Sequence, residues 1–359
     1  MSFEETPELS VVVPFLNEEG NLPSFLRQIS LQRQLRLELI LSDGGSADRG
    51  VPLANSLSRS LPFAVKVTAG ARGRGAQMNK GASSARAATL LFLHIDSVFP
   101  DPLAFRKALD ALCSAAPAVD GKVAGRFALS FSFEAAPPLP YRFYGAKATL
   151  DRPGCTHGDQ GLLIGSAFFN EMGSFDETLP LMEDTFLAER IRQSGRLLLL
   201  PARIETSPRR FLTEGLLPRQ TLNAILMNLA FTGHLELIRA LRECYLSQHA
   251  ARRLELRPFL ETLRIRIAQL PSAERRRLWR VTGGYVRSNA WQIPFLLDVL
   301  LGRGGEGSGG SLLALHDRFP GRLVDNPAGD WAAAALTWCW FRAALLFARR
   351  PEQRESAGR

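Results

Sequence analysis

The sequence predicts an α/β protein in which a mostly parallel sheet flanked by helices is followed by an α-helical C-terminal region. Short apolar runs alternate with amphipathic helical patterns over the first 200 residues, as in strand-helix-strand units. From about residue 216 onward the β pattern disappears and helical patterns remain. The length of 359 residues is enough for two domains with cores of their own.

Short apolar segments place the strands, and Pro14 ends the first of them. We expect strands over residues 9–14, 37–41, 63–68, 89–95, 122–133 and 162–165. Three amphipathic or small-residue patterns place helices near residues 18–34, 76–88 and 183–194, the last ended by Gly195.

The C-terminal part of the chain is predicted to be helical over residues 218–232, 235–254, 257–270, 272–282 and 285–301. A glycine-rich stretch follows and is typical of a flexible linker. An apolar stretch of 18 residues over 331–348 contains Arg342 and is short for a bilayer span, which favours a buried or interfacial helix. The predicted organisation is a catalytic domain over 1–215, a helical extension over 216–301, a linker over 302–310 and a C-terminal helix and tail over 311–359.

The net charge is +9, from 44 Lys and Arg against 35 Asp and Glu. Residues 1–200 are near neutral at −1, whereas residues 201–359 carry +10. That excess reflects either a general preference for arginine or a surface for anionic lipid or a partner. Nucleic acid is not expected as a partner, because no recognition motif accompanies the charge.

The four cysteines form no C-x-x-C pair, and the N-terminus is polar without an apolar run. We therefore expect reduced thiols in a cytoplasmic protein, with peripheral contact at the inner membrane surface through the basic half.

Polar residues follow three predicted strands at their C-terminal ends, where open α/β sheets bind ligands. Asn17 and Glu18 follow the first strand, Asp43 opens an Asp-Gly-Gly-Ser turn after the second, and Asp96 follows the fourth. An Asp-Gly-Gly-Ser segment by itself is more typical of a plain turn. The ordered combination favours a binding site.

These motifs resemble the family 2 glycosyltransferases with the GT-A fold, over roughly residues 9–245. Within that family the chain is similar to the subgroup of radical-SAM/selenodomain-associated transferases. The segments that carry the resemblance are Val11–Glu19, Asp43–Asp48, Gly73–Gly81, Leu91–Asp96, Gly158–Gln160 and Leu179–Asp184.

The resemblance implies a GT-A-like catalytic domain that binds a nucleoside diphosphate sugar. The donor-binding residues it implies are Pro14, Asn17, Glu18, Asp43, Arg72, Arg74, Gln77 and Asp96. A divalent metal, Mn²⁺ or Mg²⁺, would bind Asp96, with His94 as a second candidate ligand. The alternative for His94 is a hydrogen bond to phosphate or packing at the strand end, and the Arg-Gly loop that holds Arg74 has the alternative of a solvated loop.

Inverting transfer needs a base near the anomeric carbon. By resemblance we assign this role to Asp184, and we assign Glu183 to orienting or binding the acceptor. Acids in the first turn of a helix also serve the helix dipole alone. The acceptor-side candidates are Asp159, Gln160 and, in an arginine-aromatic motif after the last strand, Arg210.

The expected activity is metal-assisted, inverting transfer of a sugar, of the hexosyltransferase kind, to an unidentified small-molecule or lipid-linked acceptor. Two alternatives stay open from the sequence. One is a nucleotidyltransferase on a related sheet, and the other is a non-catalytic membrane-surface or scaffold protein that retains a vestigial nucleotide fold.

Overall fold

A computed structural model describes residues 6–179, 181–248, 253–304, 310–318 and 325–348. The contacts between Cα atoms divide the chain into two compact units, with the first ending at Ser207 and the second beginning at Pro208. Most of the predicted linker, residues 305–309, and the predicted tail from residue 349 onward lie outside the described residues.

The first unit contains a seven-stranded sheet. Its strands are β1 (Leu9–Phe15), β2 (Leu37–Asp43), β3 (Ala64–Ala69), β4 (Thr89–Phe92), β5 (Val123–Phe131), β6 (Leu162–Gly165) and β7 (Arg196–Thr206). Their order is β3-β2-β1-β4-β6-β5-β7, and β6 alone among them runs antiparallel to its neighbours. The sheet confirms the predicted α/β class with a mostly parallel sheet.

Helices cover both faces of this sheet. Alternate residues of β1 therefore pack into two different cores, one on each face. Val11 and Val13 join the core that contains Phe25, whereas Val12 joins the core that contains Met78. The helices of the unit are α1 (Leu22–Ser30), α2 (Gly50–Leu57), α3 (Arg74–Ala82), α4 (Ala104–Ala115), α5 (Leu139–Thr149), α6 (Ser166–Glu171) and α7 (Glu183–Ser194).

Helix α3 packs directly onto β1. A Cβ atom at Gly81 would lie 2.3 Å from Cγ1 of Val12, so only glycine fits there. The helix begins at Arg74 and ends at Ala82, earlier than the predicted 76–88. This close packing fixes Arg74 and Gln77 relative to the ends of the central strands.

The second unit is helical throughout its described part. Its helices are α8 (Arg209–Glu214), α9 (Leu216–Phe231), α10 (Leu235–Ser247), α11 (Leu256–Gln269), α12 (Ser272–Ser288), α13 (Gln292–Leu300), α14 (Ser311–Arg318) and α15 (Pro327–Phe347). The predicted division of α12 between residues 282 and 285 is wrong. Gly283 and Gly284 continue the helix, and a Cβ at Gly283 would lie 2.0 Å from the carbonyl oxygen of Asp330 in α15.

Candidate active site

The candidate site is built from the C-terminal ends of β1, β2 and β4 and from the start of β6. Phe92, the last residue of β4, pairs with Val12 of β1 on one side and with Leu162 of antiparallel β6 on the other. The turn that precedes β6 therefore lies beside the segment that follows β4. This topology explains how motifs far apart in the sequence meet.

The loops after β1 and β2 are tied together by hydrogen bonds. The backbone N–H of Asn17 donates to Oγ of Ser46 at 2.9 Å, and that of Ala47 donates to Oδ1 of Asn17 at 2.8 Å. Pro14 is buried inside β1, and the half-buried Glu18 accepts a hydrogen bond from Asn21. Of these predicted donor ligands, Asn17 is exposed, although its side-chain oxygen is engaged in the loop.

Asp43 closes its own turn. Its Oδ1 accepts hydrogen bonds from the hydroxyl of Ser46 at 2.6 Å and from the backbone N–H of that residue at 3.0 Å. Its Oδ2 accepts the N–H of Gly45 at 3.0 Å, and the residue is buried. This geometry favours the turn-forming interpretation over direct contact with a nucleobase.

Gln77 is buried, and its side-chain amide joins the ends of two strands. Its Nε2 donates to the carbonyl oxygens of Phe15 at 2.7 Å and Ser42 at 2.9 Å, the ends of β1 and β2. The residue is 4% exposed. Gln77 lies in α3, and its side chain points under the strand ends and holds them.

Arg74, at the start of α3, contacts three other polar side chains of the candidate site. Its Nε donates to Glu183, its NH2 group lies 3.6 Å from Oδ2 of Asp184, and its NH1 group lies 3.5 Å from Nε2 of His94. The side chain keeps 40% of its surface exposed. Arg72, two residues earlier, is exposed on the preceding loop.

The two acids differ in their surroundings at the N-terminus of α7. Met182, just before them, has a φ of 67°, and this left-handed residue turns the chain into the helix. The side chain of Glu183 is 5% exposed, whereas that of Asp184 is 15% exposed. Oδ1 of Asp184 accepts the N–H of Thr185 at 2.6 Å, which leaves Oδ2 directed at Arg74 and Gly158.

His94 is oriented by Asp159, whose Oδ1 lies 3.0 Å from Nδ1 of the ring. His94 and Asp184 both pack against Gly158. A Cβ added at Gly158 would lie 2.0 Å from Oδ2 of Asp184 and 2.7 Å from Nε2 of His94. The backbone of the Gly-Asp-Gln turn therefore touches the carboxylate directly. Glycine is required there by space.

Gln160 has a positioning role. Its Nε2 donates to the carbonyl oxygens of Ala148 at 2.8 Å and Phe127 at 3.2 Å, and its Oε1 accepts the N–H of His157 at 3.1 Å. The residue is completely buried, so its side chain cannot bind an acceptor as the sequence had predicted. It holds the turn that carries Gly158.

Sequence reasoning missed His157 and Thr185. Nδ1 of His157 lies 3.1 Å from the hydroxyl of Thr185, and both residues adjoin predicted site residues. Their signal in the sequence was only this adjacency to Gly158 and Asp184. Burial lowers the pKa of His157, and the charge of Lys147 lowers it further, so the ring is held neutral.

Asp184 stays ionised in this setting. Burial raises the pKa of its carboxyl group, but the positive charge of Arg74, together with the hydrogen bond from the N–H of Thr185, outweighs that effect and lowers the pKa below its ordinary value. An ionised carboxylate is the form that accepts a proton.

Asp96 fits a divalent cation better than His94 does. Asp96 is exposed at the strand end, and within the described residues its carboxylate has no ion-pair partner. Nδ1 of His94 is hydrogen-bonded to Asp159, and Nε2 faces the guanidinium of Arg74 across 3.5 Å. In the described part of the chain no group of three or more His, Cys, Asp or Glu residues forms a metal site. One carboxylate completed by substrate phosphates and water is a common binding mode of Mg²⁺.

The remaining predicted acceptor residue, Arg210, lies in α8 of the second unit and is exposed.

Residues 10–168 match the family model described as glycosyl transferase family 2. Over this segment, which is less than half of the chain, the protein is similar to the family 2 glycosyltransferases. The matched family 2 segment contains β1 through β6, with His94, Asp96 and the Gly158 turn, while the acid pair follows it by about one helix. A search of curated proteins found no match to the chain.

Several solved structures are similar to this chain at low identity. The mannosyltransferase PcManGT from Pyrobaculum calidifontis, in complex with GDP-Man and Mn²⁺, is 16% identical, with 97% of this chain and 89% of that chain covered and a TM-score of 0.47. The S. aureus TarS 1-349 in complex with UDP is 15% identical, with 82% and 87% covered and a TM-score of 0.47. Neither likeness assigns a role to a residue of this chain.

None of the helices in the described ranges is both long enough and apolar enough to cross a membrane.

Proposed function

We propose that this protein acts as a family 2 glycosyltransferase and transfers a sugar, with inversion, from a nucleoside diphosphate sugar to an acceptor whose identity is open, with a divalent metal, Mn²⁺ or Mg²⁺, at the donor site. The observation that carries the proposal is the convergence of Asp184, Arg74 and His94 on the Gly158 turn at the C-terminal ends of the strands. Donor and acceptor would meet at this cluster.

Asp184 serves as the base. Its carboxylate takes the proton from the acceptor hydroxyl as the acceptor oxygen attacks the anomeric carbon, and the bond from that carbon to the diphosphate oxygen breaks. Asp184 suits this role better than Glu183, because Glu183 is more buried and is tied to Nε of Arg74. Glu183 then orients the arginine.

Arg74 reaches the donor with its terminal nitrogens. Its Nε is held by Glu183, while the NH1 and NH2 groups have only long contacts, at 3.5 and 3.6 Å. The exposed part of the guanidinium can therefore pair with a phosphate while the arginine stays anchored. Arg72 adds positive charge on the same loop, and the backbone around Asn17 and Asp43 borders the nucleotide.

Asp96 would hold the metal through its carboxylate. When bound, such a cation neutralises the charge that develops on the departing diphosphate. His94 contributes by fixing Asp159 and the Gly158 turn on the acceptor side, through the hydrogen bond between its Nδ1 and Asp159.

The proposal extends to peripheral contact with an anionic membrane through α15. Its exposed apolar side chains are Trp331, Leu336, Trp338, Trp340, Leu346 and Phe347. Arg342 lies over the ring of Trp338 at 5.7 Å, and residues 201–359 carry the +10 charge that an anionic surface attracts.

Vesicle flotation tests the membrane contact. Phosphatidylglycerol vesicles should retain the wild type, and a Trp338→Ala, Trp340→Ala double variant should bind less. Leu217→Ala, an exposed apolar residue of α9, should bind like the wild type. Equal binding by all three proteins would remove α15 from the proposal.

Isothermal titration with nucleoside diphosphates in the presence and absence of Mn²⁺ tests the donor site. We expect one nucleoside diphosphate to bind more tightly with Mn²⁺, and Asp96→Ala to abolish that difference. Asp110→Asn, an exposed acid on α4, is the control and should retain it. If none of the nucleoside diphosphates binds, with or without metal, the proposed function is wrong.

A further inference from the structure

A pocket of about 260 Å³ lies wholly within the second unit, outside the segment that matches the family. It is bounded by α8, by the end of α10 and by the residues just before α11. Positive and hydrogen-bonding side chains dominate its lining, among them Arg209, Arg210, Thr213, Tyr245 and Arg253. The proposed sugar transfer makes no use of this pocket beyond the prediction for Arg210.

The wall that carries Arg253 is fixed by hydrogen bonds on both sides. The N–H of Leu254 donates to the carbonyl oxygen of Glu214 at 3.0 Å. Gln248 and Glu255 exchange two hydrogen bonds, at 3.1 and 2.9 Å, between the Gln248 amide and the Glu255 backbone. These hydrogen bonds fix the backbone that follows Arg253, and Nε of Arg253 lies 3.7 Å from the Cβ position of Gly215, the residue after α8.

The single acid of the lining does not oppose the arginines. Glu214 pairs with Arg219 at 3.1 Å and accepts the hydroxyl of Tyr245 at 2.7 Å. The guanidinium of Arg219 lies 5.4 Å from the centre of the Tyr245 ring, which makes this wall a closed network. The charge of Glu214 is therefore already neutralised within the unit.

Arg210 and Arg253 remain as surplus charge. Within the described ranges neither guanidinium has a carboxylate partner. Arg210 and Thr213 line the recess from one face of α8, and Arg253 lines it from the segment before α11. Two guanidinium groups and a hydroxyl match the several oxygens and the double negative charge of a phosphate group.

We propose that this pocket is a phosphate-binding site, separate from the donor site, whose ligand is either a soluble phosphate ester or the headgroup of an anionic phospholipid. The proposal does not rest on sugar transfer. Failure of the proposed function would leave it standing, and its own failure would leave the donor site untouched.

Titration calorimetry with inorganic phosphate on the full chain tests the site. The pocket variant is Arg210→Gln, Arg253→Gln, and the matched control is Arg276→Gln, Arg277→Gln, which removes two exposed arginines of α12. We expect the pocket variant to lose about tenfold or more in phosphate affinity, while the control keeps it. Melting temperatures of the variants, together with Arg253→Gln alone, show that the loss is not caused by unfolding.

The second arm uses vesicles of phosphatidylcholine with and without phosphatidic acid. Loss of phosphatidic acid binding in the pocket variant, relative to the control, identifies the lipid as the source. Loss of free-phosphate binding with unchanged vesicle binding identifies a soluble phosphate. Equal weakening in the pocket and control variants, or no binding of either ligand by the wild type, would overturn the proposal.

Discussion

Asp184 is the residue on which the proposed chemistry depends. Asp184→Asn keeps the shape and the hydrogen bond from Thr185 but removes the proton acceptor. We expect the rate of sugar transfer or donor hydrolysis to fall by about 10²- to 10⁴-fold, with nucleoside diphosphate affinity unchanged. Steady-state rates and calorimetry measure the two effects separately. A variant with wild-type turnover would show that another group is the base.

Gly158 tests the same carboxylate through the backbone. Gly158→Ala would place a Cβ 2.0 Å from Oδ2 of Asp184 and 2.7 Å from the His94 ring, so both side chains must move. We expect turnover to drop by about 10²-fold with the fold retained. Gly165→Ala is the matched control, because its Cβ meets nothing within 4 Å and its φ is −66°. Equal activity of both variants would contradict the packing at Gly158.

Residue types and their order were enough to predict which loops converge, but not which way each side chain points. Asp184 and His94 both lie beside Arg74. Gln77 lies in α3 and Gln160 in the turn before β6, and both amides turn inward and satisfy backbone carbonyls. A buried amide and a ligand-facing amide look alike in a sequence, since burial depends on the packing of distant strands.

At the scale of elements, Arg126 of β5 holds the C-terminal end of α5. The side chain is 1% exposed and donates to the carbonyl oxygens of Leu150 at 2.9 Å and, at 3.4 Å, of Ala148 and Thr149. Ala148 also accepts from Gln160, so this brace continues to the catalytic turn. Buried carbonyls without donors are costly.

Arg126→Met should therefore lower the free energy of unfolding by about 1–3 kcal/mol. Chemical denaturation measures this, and Arg33→Met, an exposed arginine, should leave stability unchanged. If Arg126→Met proves as stable as the wild type, the carbonyls at the end of α5 do not need the guanidinium.

Gly283 in α12 allows close packing of this helix against α15, whereas the neighbouring Gly284 is less tightly packed. A Cβ at Gly283 would lie 2.0 Å from the backbone of Asp330 and 2.6 Å from the backbone nitrogen of Ala334, whereas one at Gly284 would meet only the Asp330 side chain, at 3.3 Å. Gly283→Ala should lower the free energy of unfolding by about 1–3 kcal/mol and expose α15 to hydrogen exchange. Gly284→Ala should do so much less. Identical effects would contradict the close approach.

The sequence misled at this element because two adjacent glycines are typical of a helix end. The glycines of α12 allow close packing against α15, which lies about 50 residues further along the chain. A local sequence pattern does not show a contact between helices that far apart. Six of the seven strands, by contrast, were predicted within a few residues because apolar runs bounded by turn residues are local signals, whereas β7 was not among the predicted strands.

At the scale of the whole molecule, the net charge of +9 divides between the units of the chain. Residues 1–200 are near neutral, so the candidate active site would meet an anionic donor through Arg74, Arg72 and a bound cation instead of through a general positive field. The +10 of residues 201–359 accompanies the exposed tryptophans of α15 and the arginine-lined pocket.

A crystal structure of the chain soaked with uridine diphosphate or guanosine diphosphate and manganese would show the donor site itself. We expect a cation bonded to the Asp96 carboxylate, a diphosphate between that cation and the terminal nitrogens of Arg74, and Asp184 facing open space beside the diphosphate. A nucleotide bound away from Asp96 and Arg74, with no cation on the Asp96 carboxylate, would contradict the proposed donor site.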